Sequence, residues 1–235
     1  MNSRLELIAS MAKRGYGIAD IGTDHAILPI ILRQNGYKGY IAASDINNGP
    51  LNKARQSLAD AEINDVDLIL CDGLAGINCS KVDTIIVAGM GGDTITGILD
   101  RGLYDINEWA ERNDYKLVLN PVTKPEILRY WLVNNGFHII NDEYIEDNGV
   151  ICQIIFAEPG SSKKYKDSEL FVGKYELIKA NPLFETIVDK HLKRFNSAVE
   201  GIEISNDNTL DAWEKIIIDM IYELKQMKES NNGQR

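Results

Sequence analysis

The sequence predicts an α/β protein: a doubly wound, Rossmann-like parallel sheet followed by a C-terminal α-helical, coiled-coil-like appendage. Three observations predict it. Apolar, strand-like runs alternate with segments of helical period up to residue 134, the order that builds βαβ units. The first run leads into Ala19-Asp20-Ile21-Gly22-Thr23-Asp24-His25-Ala26, an acidic residue and a glycine bend before a helix. Sheets of this kind seat a ligand there, beyond the carboxyl end of a strand and against a helix N-terminus. Beyond Glu158-Pro159-Gly160-Ser161-Ser162 the period is helical throughout. Residues 1–160 are therefore expected to form the sheet domain and residues 161–235 the helical one.

Each element has its own signal. Ser3 to Arg14 reads as a helix capped by Ser3, with Glu6 in the capping-box position and Leu5, Ile8, Ala9 and Ala12 on one face. Gly15 and Gly17 end it, and strand 1 runs to Asp20. Ile27 to Asn35 is a helix with Pro29 in its first turn, where a missing N–H does no harm. Strand 2 is Gly39 to Asp45, the next helix Leu51 to Glu62, and strand 3 Val66 to Leu70. Thr84 to Ala88 is the β-branched run of a central parallel strand, with Gly89-Met90-Gly91-Gly92 as the turn after it. Ile95, Ile98 and Leu99 mark a helix, and Lys116 to Leu119 is strand 5, closing on Asn120-Pro121. Thr123 caps a further helix whose buried face is Ile127, Leu128, Trp131 and Leu132, with Gly136 past its end. Phe137 to Ile145 and Val150 to Phe156 form a hairpin around Glu146-Asp147-Asn148-Gly149. In the appendage one stripe runs from Phe184 to Ile202 and another from Leu210 to Met227, joined by a turn at 205–209. The second stripe includes Trp213, Ile216, Ile217, Met220 and Leu224. Two antiparallel helices follow.

The 235 residues suffice for one α/β domain plus a smaller appendage. No apolar segment follows the N-terminal charges and no apolar run approaches the ~20 residues of a membrane span, so neither a signal peptide nor a membrane partner is expected. Cys71, Cys79 and Cys152 are an odd count without C-x-x-C spacing, which indicates no metal site, no disulfide framework and a cytoplasmic location. The net charge is −10, nearly all of it in the first 160 residues. That balance opposes a polyanion and leaves any nucleic-acid contact to local basic patches.

The bend at 20–26 narrows the ligand. Gly22 permits positive φ and close backbone approach, with Thr23 beside it. A dinucleotide fingerprint needs its second glycine where Asp24 stands, a carboxylate in the place of two phosphates. The loop suits a phosphate-free cofactor, S-adenosylmethionine. Asp20 either binds that cofactor's amino group or orders the turn. Asp45, followed by Ile46, ends strand 2 where a carboxylate accepts from both ribose hydroxyls; the alternative is a helix cap. Asp72 accepts from the adenine amine with Gly73 against the ring, unless it is only a turn aspartate. Ala88 and Gly89 lie where the donor is met, and Met90, Gly91 and Gly92 where the acceptor base is met; the alternative is a turn that merely needs positive φ. Asn120 lines the base pocket from strand 5. Asp24 and His25 are neighbours able to relay a proton, or else a cap and a packed imidazole. His138 and His191 read as structural. Arg4, Lys13 and Arg14 either hold phosphates or form a solvated helix face.

With the loop at 19–26, Leu28-Pro29, Asp72-Gly73-Leu74 and Ala88-Gly89-Met90-Gly91-Gly92, the chain resembles the bacterial tRNA (adenine-22 N1)-methyltransferase family, TrmK. Arg4-Leu5 and the helical appendage extend the likeness over nearly the whole chain. The resemblance implies a class I methyltransferase sheet, S-adenosylmethionine as cofactor, and tRNA as partner, methylated on N1 of an adenine in the D-arm. It departs at Asn120, where glutamine is expected; the shorter amide reaches less far. A small-molecule or other RNA class I methyltransferase is the alternative, and a nicotinamide oxidoreductase is disfavoured by Asp24. A monomer or weak dimer is expected, with Lys163, Lys164, Lys166 and Lys193 helping to attract tRNA.

Overall fold

A computed structural model describes residues 3–104, 114–205 and 210–233. The chain divides into two compact units, 1–141 with 145–163, and 142–144 with 164–235. The strands are β1 (Gly17–Ile21), β2 (Tyr40–Asp45), β3 (Asp67–Leu70), β4 (Thr84–Gly91), β5 (Lys116–Thr123), β6 (Phe137–Asp147) and β7 (Val150–Pro159). Among the described residues they make one seven-stranded sheet of order β3-β2-β1-β4-β5-β7-β6. β1 to β5 pair in parallel and β7 runs antiparallel to β5. The order reverses between β1 and β4, so a crevice opens at their carboxyl ends.

Burial explains the central strands. Thr84 to Val87 of β4 are all buried, because helices cover both faces. On one face α1 (Ser3–Ala12) and α2 (Ile27–Gln34) set Leu5, Ile8, Leu28 and Leu32 against Ile18, Ile41, Ile86, Val118 and Ile154. α3 (Asn48–Asp60) adds Ala54 and Leu58, packed with Ala26. α4 (Gly92–Tyr104) and α5 (Pro125–Asn134) pack on each other and on β5.

Four expectations need correction here. β4 continues through Gly89, Met90 and Gly91, which pair irregularly with β5 instead of forming a free turn. Thr123 ends β5, and Lys124 caps α5 in the left-handed region (φ 53°, ψ 46°). Ile127 is exposed, the buried face of α5 being Leu128, Arg129, Trp131 and Leu132. The β6–β7 connection is tighter than expected: Asn148 and Gly149 alone form it, both with positive φ (52° and 79°), as a two-residue hairpin turn requires.

In the second unit α6 (Asp167–Val172) and α7 (Tyr175–Ile178) precede two long helices, α8 (Phe184–Ser205) and α9 (Asp211–Asn232). Phe184, Ile187, Val188 and Phe195 of α8 and Met220, Ile221, Leu224 and Met227 of α9 are buried. Asp189 near the start of α8 bonds Lys228 near the end of α9 at 2.6 Å, which sets the helices antiparallel. Trp213 and Ile216, expected in the seam, are exposed. The expected turn at 206–209 and the Ser3 cap lie outside the described residues.

Two glycines separate steric from conformational need. A Cβ at Gly17 would lie 1.7 Å from the Lys81 carbonyl oxygen, whereas one at Gly36 (φ +81°) would meet open space. Gly17→Ala should therefore lose at least about 3 kcal/mol or fail to fold. Gly36→Ala should lose only about 1 kcal/mol, from the left-handed backbone alone. Urea unfolding of the two variants checks the difference.

Candidate active site at the carboxyl edge of the sheet

β1, β2 and β3 end close together, and each end carries or precedes a carboxylate: Asp20, Asp45 and Asp72. After β1 the chain turns sharply. Gly22 takes φ +76°, and the Gly22 and Thr23 amides both donate to the Ser44 carbonyl, at 2.8 and 2.9 Å. Asp24 and Ala26 also have positive φ (47° and 54°), uncommon for residues with a Cβ. Thr23 donates its hydroxyl to Asp20 Oδ2 at 2.6 Å, both side chains being buried. Burial pushes the Asp20 carboxyl up to about 6, the Thr23 bond acting in the opposite sense.

The other carboxylates are more open. Asp45 Oδ1 accepts from the Asn47 amide at 2.9 Å, in the turn before the helix and without capping it, and Oδ2 makes no hydrogen bond among the described residues. Ile46 beside it is exposed. Asp72 Oδ1 takes a 3.3 Å contact from Arg101, a partner that nothing in the sequence indicated. Gly73 has φ +55°, and a Cβ there would touch the Ile98 side chain at 3.1 Å. Asp24 and His25 stand 3.7 Å apart, Asp24 Oδ2 to His25 Nε2, with side chains 63% and 44% exposed, so both face solvent at the mouth.

Across the switch point the end of β4 closes the crevice. Ala88 pairs with Asn120, and the register slips before Met90 pairs with Pro121. The slip leaves Gly89 (φ +79°) exposed as the extra residue of a bulge. The Met90 methyl lies 2.1 Å from where a Gly22 Cβ would be, so glycine at 22 makes room for Met90. Gly92 is packed too closely on the Lys124 carbonyl for any side chain, and Gly91 is crowded by Asp93 and Thr123. Lys124 Nζ holds Asp93 Oδ2 at 2.6 Å, which lowers the Asp93 carboxyl.

Two sets of expected residues are arranged differently. Asn120 is buried and committed: Oδ1 accepts from Arg4 Nη1 at 2.8 Å, and Nδ2 donates to the Gln153 carbonyl at 2.6 Å. Its amide ties α1, β5 and β7 together instead of presenting an open edge. Arg4 continues toward Asp147, with Nε 3.9 Å from Oδ2. Arg4 is thus at the site, but Lys13 and Arg14 are not. Ten residues of helix span about 15 Å, and Gly15 lies beside Thr84, at the opposite, amino edge of the sheet. Periodicity places these three on one helix without revealing which end meets which sheet edge.

A glycine bend, three strand-end carboxylates and a bulged fourth strand around one crevice define an α/β protein built to bind a nucleoside-like, phosphate-free ligand. The chain belongs to the methyltransferase domain family, whose model matches residues 1–155. Among characterised relatives, the tRNA (adenine(22)-N(1))-methyltransferase of Bacillus subtilis is 27% identical over 213 residues, 88% of this chain and 87% of that protein. The crystal structure of the B. subtilis m1A22 tRNA methyltransferase TrmK superposes with a TM-score of 0.85 at 25% identity, covering 97% of this chain and 98% of that one. Streptococcus pneumoniae Sp1610 in complex with S-adenosyl-L-methionine gives 0.76 at 28% identity, over 97% and 99% of the two chains. Among the described residues no group of three or more His, Cys, Asp or Glu side chains could hold a metal ion, and no helix is long and apolar enough to cross a membrane.

Asp20 makes a prediction about stability. Its folded pKa, about 6, exceeds the ordinary 3.8, so the native chain holds the proton more tightly. Stability therefore falls as pH rises from about 4 to about 6, and above that the buried charge costs on the order of 3 kcal/mol. Asp20→Asn keeps an acceptor for Thr23 without the charge. Its urea midpoint should exceed that of the wild type at pH 7.5, and the gain should disappear below about pH 4.

Proposed function

We propose that this chain is a cytoplasmic S-adenosylmethionine-dependent methyltransferase acting on N1 of adenine 22 in the D-arm of tRNA. The observation that carries the reading is the Asp20–Ala26 bend, where Asp24 occupies the phosphate position and the buried Asp20 awaits a cation. S-adenosylmethionine, when bound, supplies an electrophilic methyl group on a sulfonium.

The residues fit that group. Asp20 is desolvated, so its carboxylate is costly to keep charged and is stabilised by a positive charge beside it, which suits the methionine ammonium. Gly22 and Thr23 form the floor with Met90 across it, and Ala88 and Gly89 form the wall. Asp45 receives the ribose hydroxyls on the oxygen that Asn47 leaves, beside Ile46. Asp72 and Gly73 meet the adenine of the cofactor once Arg101 shares its carboxylate. Gly91 and Gly92 let the end of β4 pack closely on Asp93, Thr123 and Lys124, which shapes the acceptor side.

Adenine N1 carries its own lone pair, so no general base is required for the attack. The contribution of the chain is to hold N1 in line and exclude other geometries. Methylated at N1, the base is cationic until its exocyclic nitrogen loses a proton. Asp24 and His25, adjacent and open to solvent, accept that proton and pass it to water. The acidic surroundings favour both the cationic donor and the cationic product. Asn120 and Arg4 serve by fixing the β5 edge against which the base is placed.

Unmodified tRNA incubated with the protein and S-adenosylmethionine should gain one methyl on adenine 22, read by mass spectrometry of digested fragments. A tRNA with guanine at 22 should gain none. Methylation elsewhere, or none, overturns the reading. The Asp24→Ala, His25→Ala double variant should keep its affinity for S-adenosylmethionine and lose about 10²-fold in kcat. Full turnover would place the proton elsewhere.

A further inference from the structure

A second cleft opens at the amino edge of the sheet, on the far side of the first unit from the candidate active site. It encloses about 450 Å³, within the range of small-ligand pockets, between the end of α1, the starts of β4 and β5, and the β6–β7 hairpin. Met11, Ile140 and Phe156 give it an apolar floor, while Arg14 and Lys116 stand on its rim.

Among the described residues some cations of this acidic unit are paired with carboxylates, and others, such as Lys13, Lys38 and Lys53, are not. Arg33 bonds Asp65, Arg101 bonds Asp72, Lys124 bonds Asp93 and Arg4 reaches Asp147. Arg14 and Lys116 form no ion pair among the described residues. The nearby Asp83 is already occupied: its carboxylate accepts from the Tyr16 and Gly17 amides and from the Thr84 hydroxyl. Continuing the Leu117–Ala157 register places Glu158 across from Lys116, yet the two are not bonded. Two cations without ion pairs beside an apolar floor can take an anion with an organic body, provided its charge outweighs the nearby Asp83 and Glu158.

We infer that this cleft is a second tRNA subsite, in which Arg14 and Lys116 hold a backbone phosphate and the floor receives the attached nucleoside. The inference rests on the tRNA reading given above and extends it. α1 carries Arg4 at the active-site edge, and Arg14 lies in the turn just past its end at the opposite one, so the substrate is gripped at a distance from the reacting base. A remote grip of this kind adds affinity without touching the chemistry. It also answers how a protein of net charge −10 holds a polyanion: the attraction is local and lies away from the acidic crevice.

Direct binding of tRNA across 50–200 mM salt (chosen conditions, on the order of those over which counterion release is read), with S-adenosylmethionine affinity and melting temperature measured alongside, tests it. In the Arg14→Ala, Lys116→Ala double variant the Kd for tRNA should rise about tenfold. The log–log salt dependence should become shallower by about one. KM for tRNA should rise with kcat preserved, S-adenosylmethionine affinity should stay the same, and Arg14→Lys should retain most of the binding. An unchanged tRNA Kd and salt slope overturn the assignment. So does a wild-type cleft that binds AMP or inorganic phosphate, lost in the double variant, while tRNA binding is equal in both; the site would then serve a free nucleotide or anion. If tRNA binding depends on the cleft but no tRNA is methylated, the subsite stands and the activity reading falls.

Discussion

One carbonyl holds the crevice in shape. Ser44, near the end of β2, accepts the Gly22 and Thr23 amides together. Those two bonds stitch the bend after β1 to the neighbouring strand. Without them a segment with three positive φ values between Gly22 and Ala26 would have little reason to stay folded. With them, Thr23 is placed to bond Asp20, Asp20 stays buried, and Ala26 starts α2 with its side chain in the core. The strain in the loop and the charge under it are two parts of one arrangement. Both are costs that the packing around the bend has to hold in place.

Much of this could be read from residue order. Asp20, Gly22 and Asp24 announce the bend because glycine and a misplaced carboxylate have direct backbone and electrostatic meanings. The β-branched run at 84–88 announces a central strand, and Asn148-Gly149 a hairpin, for equally local reasons. Failures came where a partner far along the chain decides. Lys124, not Thr123, caps α5 because β5 keeps pairing with β4 through Thr123. Asn120 is closed off by Arg4 and Gln153, 116 and 33 positions away. Arg101 on Asp72 belongs to the same class. Composition cannot show which cation finds which carboxylate.

Trp213 and Ile216 teach a related lesson. Their helical spacing is the same as that of Met220, Leu224 and Met227, but only the latter are covered. A stripe records which face is apolar, not how far a neighbour extends along it. The charge of the first unit shows the converse. Its total argues against RNA, yet the arrangement leaves particular cations unpaired at one edge and carboxylates concentrated at the other.

The helix α1 joins those two edges as a rigid ruler. Each residue of an α-helix advances about 1.5 Å and rotates about 100°. Arg4 is anchored by Asn120 at one end, and Ile8 and Ala12 are locked into the core beneath the middle. Deleting a single residue between them would throw the two ends out of phase, and no side-chain adjustment could restore both. Insertions and deletions should therefore be far rarer in this short helix than its modest length and partly exposed surface would suggest.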